Sequence, residues 1–221
     1  MKVCIVIPAY NEANTISKII DEAKKYSENI IVVDDGSKDA TRKLAEESGA
    51  FVLRHVVNLG VGSATVTGNN YAVSRGFDVI VNLDSDGQHS ASAVARGLEV
   101  LEGGGYDIVI GSRFLESTKK MPAMLRLGNR FLTLTNRLIF GSNITDTQSG
   151  FRVVTADAWK KLAPVSMGYS ICSEISASIG TKRLKYAEIP IETIYLDSFK
   201  GTTIFDGMRI FASMLKWWFR K

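Results

Sequence analysis

The stretch NLDSDGQHS, residues 82–90, places two acidic residues, Asp84 and Asp86, one residue apart directly after an apolar run. Two carboxylates this close repel each other unless a positive group lies between them. Either they point apart into solvent, or they share a cation. Together with the side-chain oxygen of Gln88, they suit a hard divalent cation such as Mg²⁺ or Mn²⁺, which keeps open positions for substrate phosphates.

Acidic or amide-rich segments follow three predicted strands: PAYNEAN after the first, DDGSKD after the second and DSDGQH after the fourth. Because ligands of parallel sheets bind at the carboxyl ends of the strands, we expect these segments to share one crevice. Any one of them alone is equally typical of a solvated turn. All three together favour a ligand site, since clustered carboxylates are unfavourable unless a ligand uses them. The acidic residues gathered there are Glu12, Asp34, Asp35, Asp84 and Asp86.

A phosphate-containing ligand would have to be held without a glycine-rich loop. The sequence has no GxxxxGK motif and no GxGxxG directly after a strand. The carboxylates would therefore hold a diphosphate through the cation, which leaves Asp34 and Asp35 to accept hydrogen bonds from a base or a ribose hydroxyl. His89 could act as a base, although a supporting or packing role beside the metal loop is the better prediction.

The elements that position these residues alternate between apolar strands and helical patterns through the first 110 residues. This alternation predicts an α/β fold whose Rossmann-like, mostly parallel sheet carries helices on both faces. The second predicted helix, SKDATRKLAEESG, has Ser37 as a candidate N-cap and Gly49 as a stop. The predicted strands are KVCIVIP, NIIVVDD, AFVLRH, DVIVNLD and YDIVIGS.

A long amphipathic helix is predicted over residues 122–140. Its apolar stripe consists of Leu127, Phe131, Leu134 and Leu138. Its opposite face consists of Arg126, Arg130, Thr133 and Arg137. Three arginines on one face suit an anionic ligand, and they also fit a solvated basic surface.

The last segment, residues 203–221, predicts a second amphipathic helix. Its apolar stripe consists of Ile204, Met208, Phe211, Leu215 and Trp218. Cationic side chains follow on Arg209, Lys216, Arg220 and Lys221. This pattern fits a helix that lies on an anionic membrane surface, with Trp217 and Trp218 at the interface. The alternative is a helix packed on the domain or on a second copy of the chain, as in a homodimer.

Composition narrows the choice of partner and compartment only a little. A formal net charge of +4 and a pI of about 9.0 favour an anionic partner, such as phosphates or acidic lipid, and we expect no nucleic-acid partner. The two cysteines lack metal-ligand spacing, which indicates a reducing, cytoplasmic setting. We find no signal-peptide pattern and no run of roughly 18 uncharged apolar residues, so a peripheral protein on the cytoplasmic face of the membrane is expected.

Six segments carry a resemblance to a known family: VIPAYNEANTI, VVDDGSKDAT, NLGVGSATVTG, LDSDGQH, IGSRF and DTQSGFRVV occur in this order. Together they resemble a family 2 inverting glycosyltransferase with the GT-A fold. Within that family the pattern is similar to the polyprenyl-phosphate sugar synthases, typified by dolichol-phosphate mannose synthase. The resemblance is specific over residues 3 to about 155.

The resemblance implies a donor such as GDP-mannose or a UDP-hexose, a polyprenyl (dolichyl) phosphate acceptor, and Mg²⁺ or Mn²⁺. The nucleotide-sugar site is expected to contain Pro8, Ala9, Tyr10, Glu12, Asp34, Asp35 and Asp84. The metal ligands are expected to be Asp84, Asp86 and Gln88. Candidates at the acceptor phosphate are Arg113, Arg126, Gln148, Arg152 and Lys200. The expected catalytic residues are Asp86, Arg113 and Asp146.

The type of acceptor follows from which side chains are present. A phosphomonoester is already anionic, so it needs arginines to position it more than it needs a base. The sequence offers several arginines and no obvious His–carboxylate pair, which favours a lipid-phosphate acceptor. Transfer to a saccharide or protein hydroxyl would require a base, for which Glu174 or Asp146 could serve. A non-catalytic nucleotide-sugar binding module and a sugar nucleotidyltransferase are the remaining alternatives.

The chain is expected to form one domain over residues 1–202, followed by the amphipathic helix of residues 203–221. Within the domain, residues 1–115 are expected to bind the nucleotide sugar and the metal. Residues 116–202 are expected to bind the acceptor.

Overall fold

A computed structural model describes residues 1–85, 92–115, 121–191 and 203–219, without the side chains of Ser92 and Ile204. The strands are β1 (Val3–Ala9), β2 (Ile30–Asp34), β3 (Phe51–Arg54), β4 (Val79–Asn82), β5 (Ile108–Ser112), β6 (Arg152–Thr155) and β7 (Tyr186–Pro190). The helices are α1 (Ile16–Ala23), α2 (Thr41–Glu47), α3 (Val61–Ser74), α4 (Ser92–Gly104), α5 (Ala123–Phe140), α6 (Ala156–Leu162), α7 (Ser170–Lys182) and α8 (Ile204–Trp218).

These strands form one sheet in the order β3-β2-β1-β4-β6-β5-β7. Every neighbouring pair is parallel except those of β6, which runs antiparallel to both β4 and β5. The predicted α/β fold with a mostly parallel sheet is therefore confirmed. The sequence analysis did not predict β6. This strand lies between β4 and β5, which are the fourth and fifth of the predicted strands.

The alternation of side chains along β1 divides the core between the two faces of the sheet. Ile5 and Ile7 pack with residues of α1, α2 and α4 on one face. Cys4 and Val6 pack with residues of α3, α6 and α7 on the other. Because helices cover both faces, a ligand of this sheet is expected at the carboxyl ends of the strands.

The predicted N-cap of α2 is wrong. The helix begins at Thr41, four residues beyond Ser37, and Ser37 Oγ instead accepts a hydrogen bond from the Asn11 N–H at 3.0 Å. The stop signal is in the right place, since Gly49 has φ +77° and donates its N–H to the Glu46 carbonyl. Ser37 therefore joins two loops rather than starting a helix.

Helix α5 turns its apolar stripe away from the protein. Leu127 is 66% exposed and Leu138 is 76% exposed, whereas Asn129 and Asn136 are buried. Asn136 Nδ2 donates to the Ser173 carbonyl of α7 at 2.9 Å. An amphipathic helix normally turns its apolar side to the core. Here the buried side combines two asparagines with Leu132 and Phe140, and the predicted apolar stripe faces outward.

Helix α8 is present as predicted, and it packs on α5 and α7. Ile210 and Met214 are its buried residues, in a small cluster with Leu132, Phe140 and Ala177. Two members of the predicted apolar stripe, Met208 and Trp218, are instead about half exposed. One side of α8 therefore packs on the protein, while another side presents apolar residues outward. Within the described residues, no helix combines the length and apolarity needed to cross a membrane.

Replacing Phe151 with alanine should destabilise the fold by about 3–5 kcal/mol, because this ring is fully buried in the core between the sheet and helices α1, α2 and α4. The measurement is the free energy of unfolding from urea denaturation followed by circular dichroism. The control is Phe205→Ala, because Phe205 is 72% exposed on α8 and its truncation should cost less than about 0.5 kcal/mol. Equal losses in the two variants would contradict this description of the core.

Candidate active site

The loops that follow β1, β2 and β4 meet at the carboxyl edge of the sheet. The Glu12 N–H donates to Thr41 Oγ1 at 2.7 Å, which ties the first loop to the start of α2. The Thr15 hydroxyl donates to the Ser85 carbonyl at 2.8 Å, which ties the first loop to the segment after β4. The structure thus brings together the first two acidic segments and the start of the third, Asp84 and Ser85; the rest of the third segment lies outside the described residues.

The first loop supplies the accessible part of this crevice. Tyr10 is 40% exposed directly after β1, and Glu12 is half-buried beside it. Pro8 is half-buried and Ala9 is buried, with the Ala9 carbonyl accepting the Asp35 N–H at 2.8 Å. A ligand at this edge would meet the ring of Tyr10 first.

The Asp34 side chain is held by contacts within the protein. Its side chain is fully buried, and Oδ1 accepts the Ser37 N–H at 2.9 Å. Oδ2 lies 3.4 Å from Arg54 Nε, an ion-pair distance, although no hydrogen bond to it forms. Asp34 therefore fixes the turn of the second loop and the edge strand β3.

Asp35 forms a histidine–carboxylate pair that the sequence analysis missed. Asp35 Oδ1 lies 2.7 Å from His55 Nδ1, and His55 Nε2 lies 3.0 Å from Thr67 Oγ1. Asp35 also accepts the N–H groups of Leu59 and Gly60, at 2.9 and 2.8 Å. The expectation that the chain holds no such pair was wrong because the two residues are 20 positions apart in sequence and meet only across β2 and β3.

Asp84 is the one predicted metal ligand within the described part of the chain; Asp86 and Gln88 lie outside it, as do His89 and Lys200. The Asp84 carboxylate is half-buried against the backbone of Gly150, where a Cβ would overlap it. A side chain at position 150 would therefore displace this carboxylate. The oxygen donor set suits a hard divalent cation, and this close approach by glycine keeps Asp84 at the edge of the sheet.

Arg113 and Asp146 form a bidentate ion pair at the end of β5. Arg113 Nε donates to Asp146 Oδ2 at 2.6 Å, and Nη2 donates to Oδ1 at 2.8 Å. The Asp146 side chain is completely buried, and that of Arg113 is 14% exposed. Burial alone would raise the pKa of Asp146, but the Arg113 charge and its hydrogen bonds outweigh burial and lower it.

Helix α5 brings further arginines to the loop that carries Arg113. The Arg130 guanidinium lies 6.0 Å from the ring centre of Phe114, the residue that follows Arg113. Arg126 lies one turn earlier on α5 and is half-buried. The basic side of α5 therefore begins beside the loop that carries Arg113.

Gln148 lies on the segment between Asp146 and β6, and Arg152 is the first residue of β6. Gln148 Nε2 donates to Ser173 Oγ of α7 at 2.7 Å. Arg152 is 3% exposed, and its Nη1 donates to the Gly150 carbonyl at 3.3 Å. Within the described residues, its Nε and Nη2 atoms have no hydrogen-bond partner. Because a buried unpaired cation is unfavourable, Arg152 is suited to an anion that enters this edge.

Glu174, the other candidate base, is engaged by the backbone. Its carboxylate accepts the N–H groups of Val165 and Ser166, the latter at 2.8 Å. The side chain thus caps the segment before α7. The sequence analysis did not select three residues at this edge: His55, Thr67 and Gly150. Of these, only Gly150 lies in a segment that carries the family resemblance, DTQSGFRVV.

Comparisons with known proteins identify the family of the chain. The model of the family described as "Glycosyl transferase family 2" matches residues 4–162. The chain is similar to UDP-N-acetylglucosamine–dolichyl-phosphate N-acetylglucosaminyltransferase of Methanococcus voltae, with 33% identity over 96% of this chain and 94% of that protein. It is also similar to undecaprenyl-phosphate mannosyltransferase of Micrococcus luteus, with 31% identity over 86% of this chain and 83% of that protein.

A solved structure shows the same fold. Glucosyl-3-phosphoglycerate synthase from Mycobacterium tuberculosis, in complex with Mn²⁺ and UDP-glucose, superposes with a TM-score of 0.76 at 22% identity. The superposition covers 97% of this chain and 78% of that one, and it confirms the predicted GT-A fold. With the family model spanning β1 to α6, the chain belongs to glycosyltransferase family 2.

Proposed function

We propose that this enzyme transfers a sugar, with inversion, from a nucleotide sugar to a polyprenyl phosphate. The observation that carries the proposal is the Arg113–Asp146 pair. A completely buried carboxylate holds the arginine by two hydrogen bonds at the carboxyl edge of the sheet. A guanidinium fixed in this way is suited to binding phosphate oxygens in a defined orientation.

The acceptor needs positioning more than deprotonation. In a single displacement, a phosphate oxygen of the acceptor attacks the anomeric carbon. The bond from that carbon to the nucleoside diphosphate breaks, and the diphosphate leaves on the opposite face of the sugar. Arg113 would orient that phosphate, with Arg126, Gln148, Arg152 and Lys200 as further candidates. Asp146 acts through Arg113, and its lowered pKa makes it a poor proton acceptor.

Transfer to a saccharide or protein hydroxyl is the second candidate function. It requires a base near the acceptor, and both candidates have other roles. Asp146 is paired with Arg113, and Glu174 binds two backbone N–H groups. The names of the two relatives above, which specify dolichyl and undecaprenyl phosphate acceptors, also support the lipid-phosphate acceptor.

On the donor side, we assign Asp84, Asp86 and Gln88 to a divalent cation, Mg²⁺ or Mn²⁺. When bound, such a cation neutralises negative charge that develops on the leaving diphosphate. Tyr10 and Glu12 offer the accessible surface for the nucleotide, and Asp35 lies behind them. Residues 1–115 would thus bind the donor, and residues 116–202 the acceptor.

We further propose that the enzyme binds the cytoplasmic surface of an anionic membrane through both α5 and α8. The large exposed apolar side chains described on these helices and directly after α8 are Met124, Leu127, Phe131, Leu134, Leu138, Phe205, Met208, Trp218 and Phe219. Phe131 and Phe211 pack together with ring centres 5.4 Å apart, so the two helices present one continuous surface. The exposed cations flanking it are Arg130, Arg137, Arg209 and Lys216. A lipid phosphate arriving along α5 would reach the loop of Arg113, because Arg130 already lies beside Phe114.

Asp84→Asn should remove most transferase activity, because the amide cannot supply the negative charge that a divalent cation requires. Excess chelator should abolish wild-type activity, and added Mg²⁺ or Mn²⁺ should restore it. The control is Asp157→Asn, since Asp157 is exposed on α6, where it forms an ion pair with Lys160. Full turnover in excess chelator would show that the carboxylates have another role.

Arg113→Lys should lower kcat/KM for the polyprenyl phosphate by about 10- to 150-fold, which corresponds to losing about 1.5–3 kcal/mol of charge-assisted hydrogen bonding. Asp146→Asn should act in the same direction, because it releases the guanidinium. Donor affinity, measured separately by nucleotide titration, should stay the same. Arg42→Lys is the matched control, since Arg42 forms an exposed pair with Glu46 on α2. An equal loss of donor affinity would place Arg113 at the nucleotide instead.

Replacing Leu127, Leu134 and Leu138 together by serine should weaken sedimentation with anionic liposomes at least about tenfold, because each leucine contributes about 1 kcal/mol or more when buried in lipid. Point changes are preferable to deleting α8, whose Ile210 and Met214 are buried in the protein.

The control for this experiment is Val56→Ser with Val165→Ser, two exposed apolar positions on other loops. If the leucine variant bound liposomes like the wild type but lost a dimer seen by analytical ultracentrifugation, the apolar surface of α5 would contact a second copy instead.

A further inference from the structure

The Asp35 carboxylate has nearly all of its hydrogen-bonding capacity in use. An ionised carboxylate accepts about four hydrogen bonds, two at each oxygen. Oδ1 accepts from His55 Nδ1 and from the Leu59 N–H, at 2.7 and 2.9 Å. Oδ2 accepts from the Gly60 N–H at 2.8 Å. Within the described residues, one acceptor position, on Oδ2, has no partner.

We propose that His55 is a specificity-determining residue of the donor site, which restricts Asp35 to a base with a single N–H donor, uracil, and disfavours guanine. This inference rests on the proposed function, in which the nucleotide binds at Tyr10, Glu12 and Asp35. It goes further by naming the base. His55 acts through Asp35 and need not touch the nucleotide itself.

The two bases differ in the number of donors on the edge that a carboxylate binds. Uracil has one N–H between two carbonyl groups, and the open position on Oδ2 satisfies it. Guanine has a ring N–H beside an amino group, and binding both requires both carboxylate oxygens. Oδ1 could accept the second donor only by releasing His55 or Leu59. Guanine would therefore leave one buried donor unsatisfied, which is unfavourable.

The His55 side chain cannot easily release Asp35. Because an ionised carboxylate only accepts, Nδ1 is the donor of this hydrogen bond. The ring is held from its other side by Thr67 Oγ1 at 3.0 Å, and the side chain is only 11% exposed. Its backbone N–H also donates to the Asp34 carbonyl at 2.9 Å. The histidine is thus fixed at three points between β2 and α3.

The second hydrogen-bond donor to Oδ1, the Leu59 N–H, is fixed by the backbone. Leu59 and Gly60 immediately precede α3, and Gly60 has φ +94°, a conformation that favours glycine. A Cβ at position 60 would come within 2.6 Å of the Met167 carbonyl oxygen. This close packing holds the two N–H groups against Asp35, so neither Oδ1 partner is available for exchange with a ligand.

The test is to measure the affinities of UDP and GDP, without sugar, for the full chain by isothermal titration calorimetry in the presence of Mn²⁺. Wild type should bind UDP at least about tenfold more tightly than GDP. His55→Leu removes the donor to Oδ1, so it should reduce this ratio to about one by improving GDP binding relative to UDP. His55→Asn places an amide N–H where Nδ1 lies, and it should keep the wild-type ratio.

The ratio distinguishes specificity from a purely structural role. If His55→Leu weakened UDP and GDP equally and left the ratio unchanged, His55 would only support the fold and the inference would be overturned. Equal or tighter binding of GDP by the wild type would overturn it as well. If neither nucleotide bound to the wild type, the proposed donor site itself would be wrong, a result distinct from a wrong choice of base.

Discussion

Two carboxylates buried at the carboxyl edge of the sheet, Asp35 and Asp146, organise the loops around them. A buried carboxylate is tolerated only when donors surround it, and each of these two finds its donors in segments distant in sequence. Asp35 binds the N–H groups that begin α3, and Asp146 binds the guanidinium of Arg113. The geometry of the loops around Asp35 and around Asp146 therefore depends on how these two charges are satisfied.

Much of this arrangement could be predicted from the sequence, because it follows from local patterns. Apolar runs alternating with helical patterns are sufficient for the α/β fold, and the acidic segments at strand ends are sufficient to locate the crevice. The presence of α8 also follows from its periodicity. In each case the pattern is contained within about a dozen residues, so the spacing of apolar and polar residues is enough to predict the element.

The parts that could not be predicted depend on contacts between distant residues. His55 pairs with a carboxylate 20 residues earlier, and no motif marks the pair. Ser37 looks like an N-cap, but a backbone N–H of the first loop uses its hydroxyl. The stripe on α5 is visible in the sequence, whereas its outward direction is set by polar contacts such as that between Asn136 and Ser173. Periodicity identifies the two faces of a helix and leaves open which face meets the protein.

The antiparallel strand β6 has a consequence for how the chain folds during synthesis. Strand β5 is bordered by β6 and β7, both of which come later in the sequence, and it has no pairing with β4. A nascent chain that has reached residue 115 can pair β1 to β4, while β5 must wait about 40 residues for its first partner. Closing such long loops is slow. The sheet formed by the first 115 residues is therefore incomplete until β6 and β7 have been synthesised.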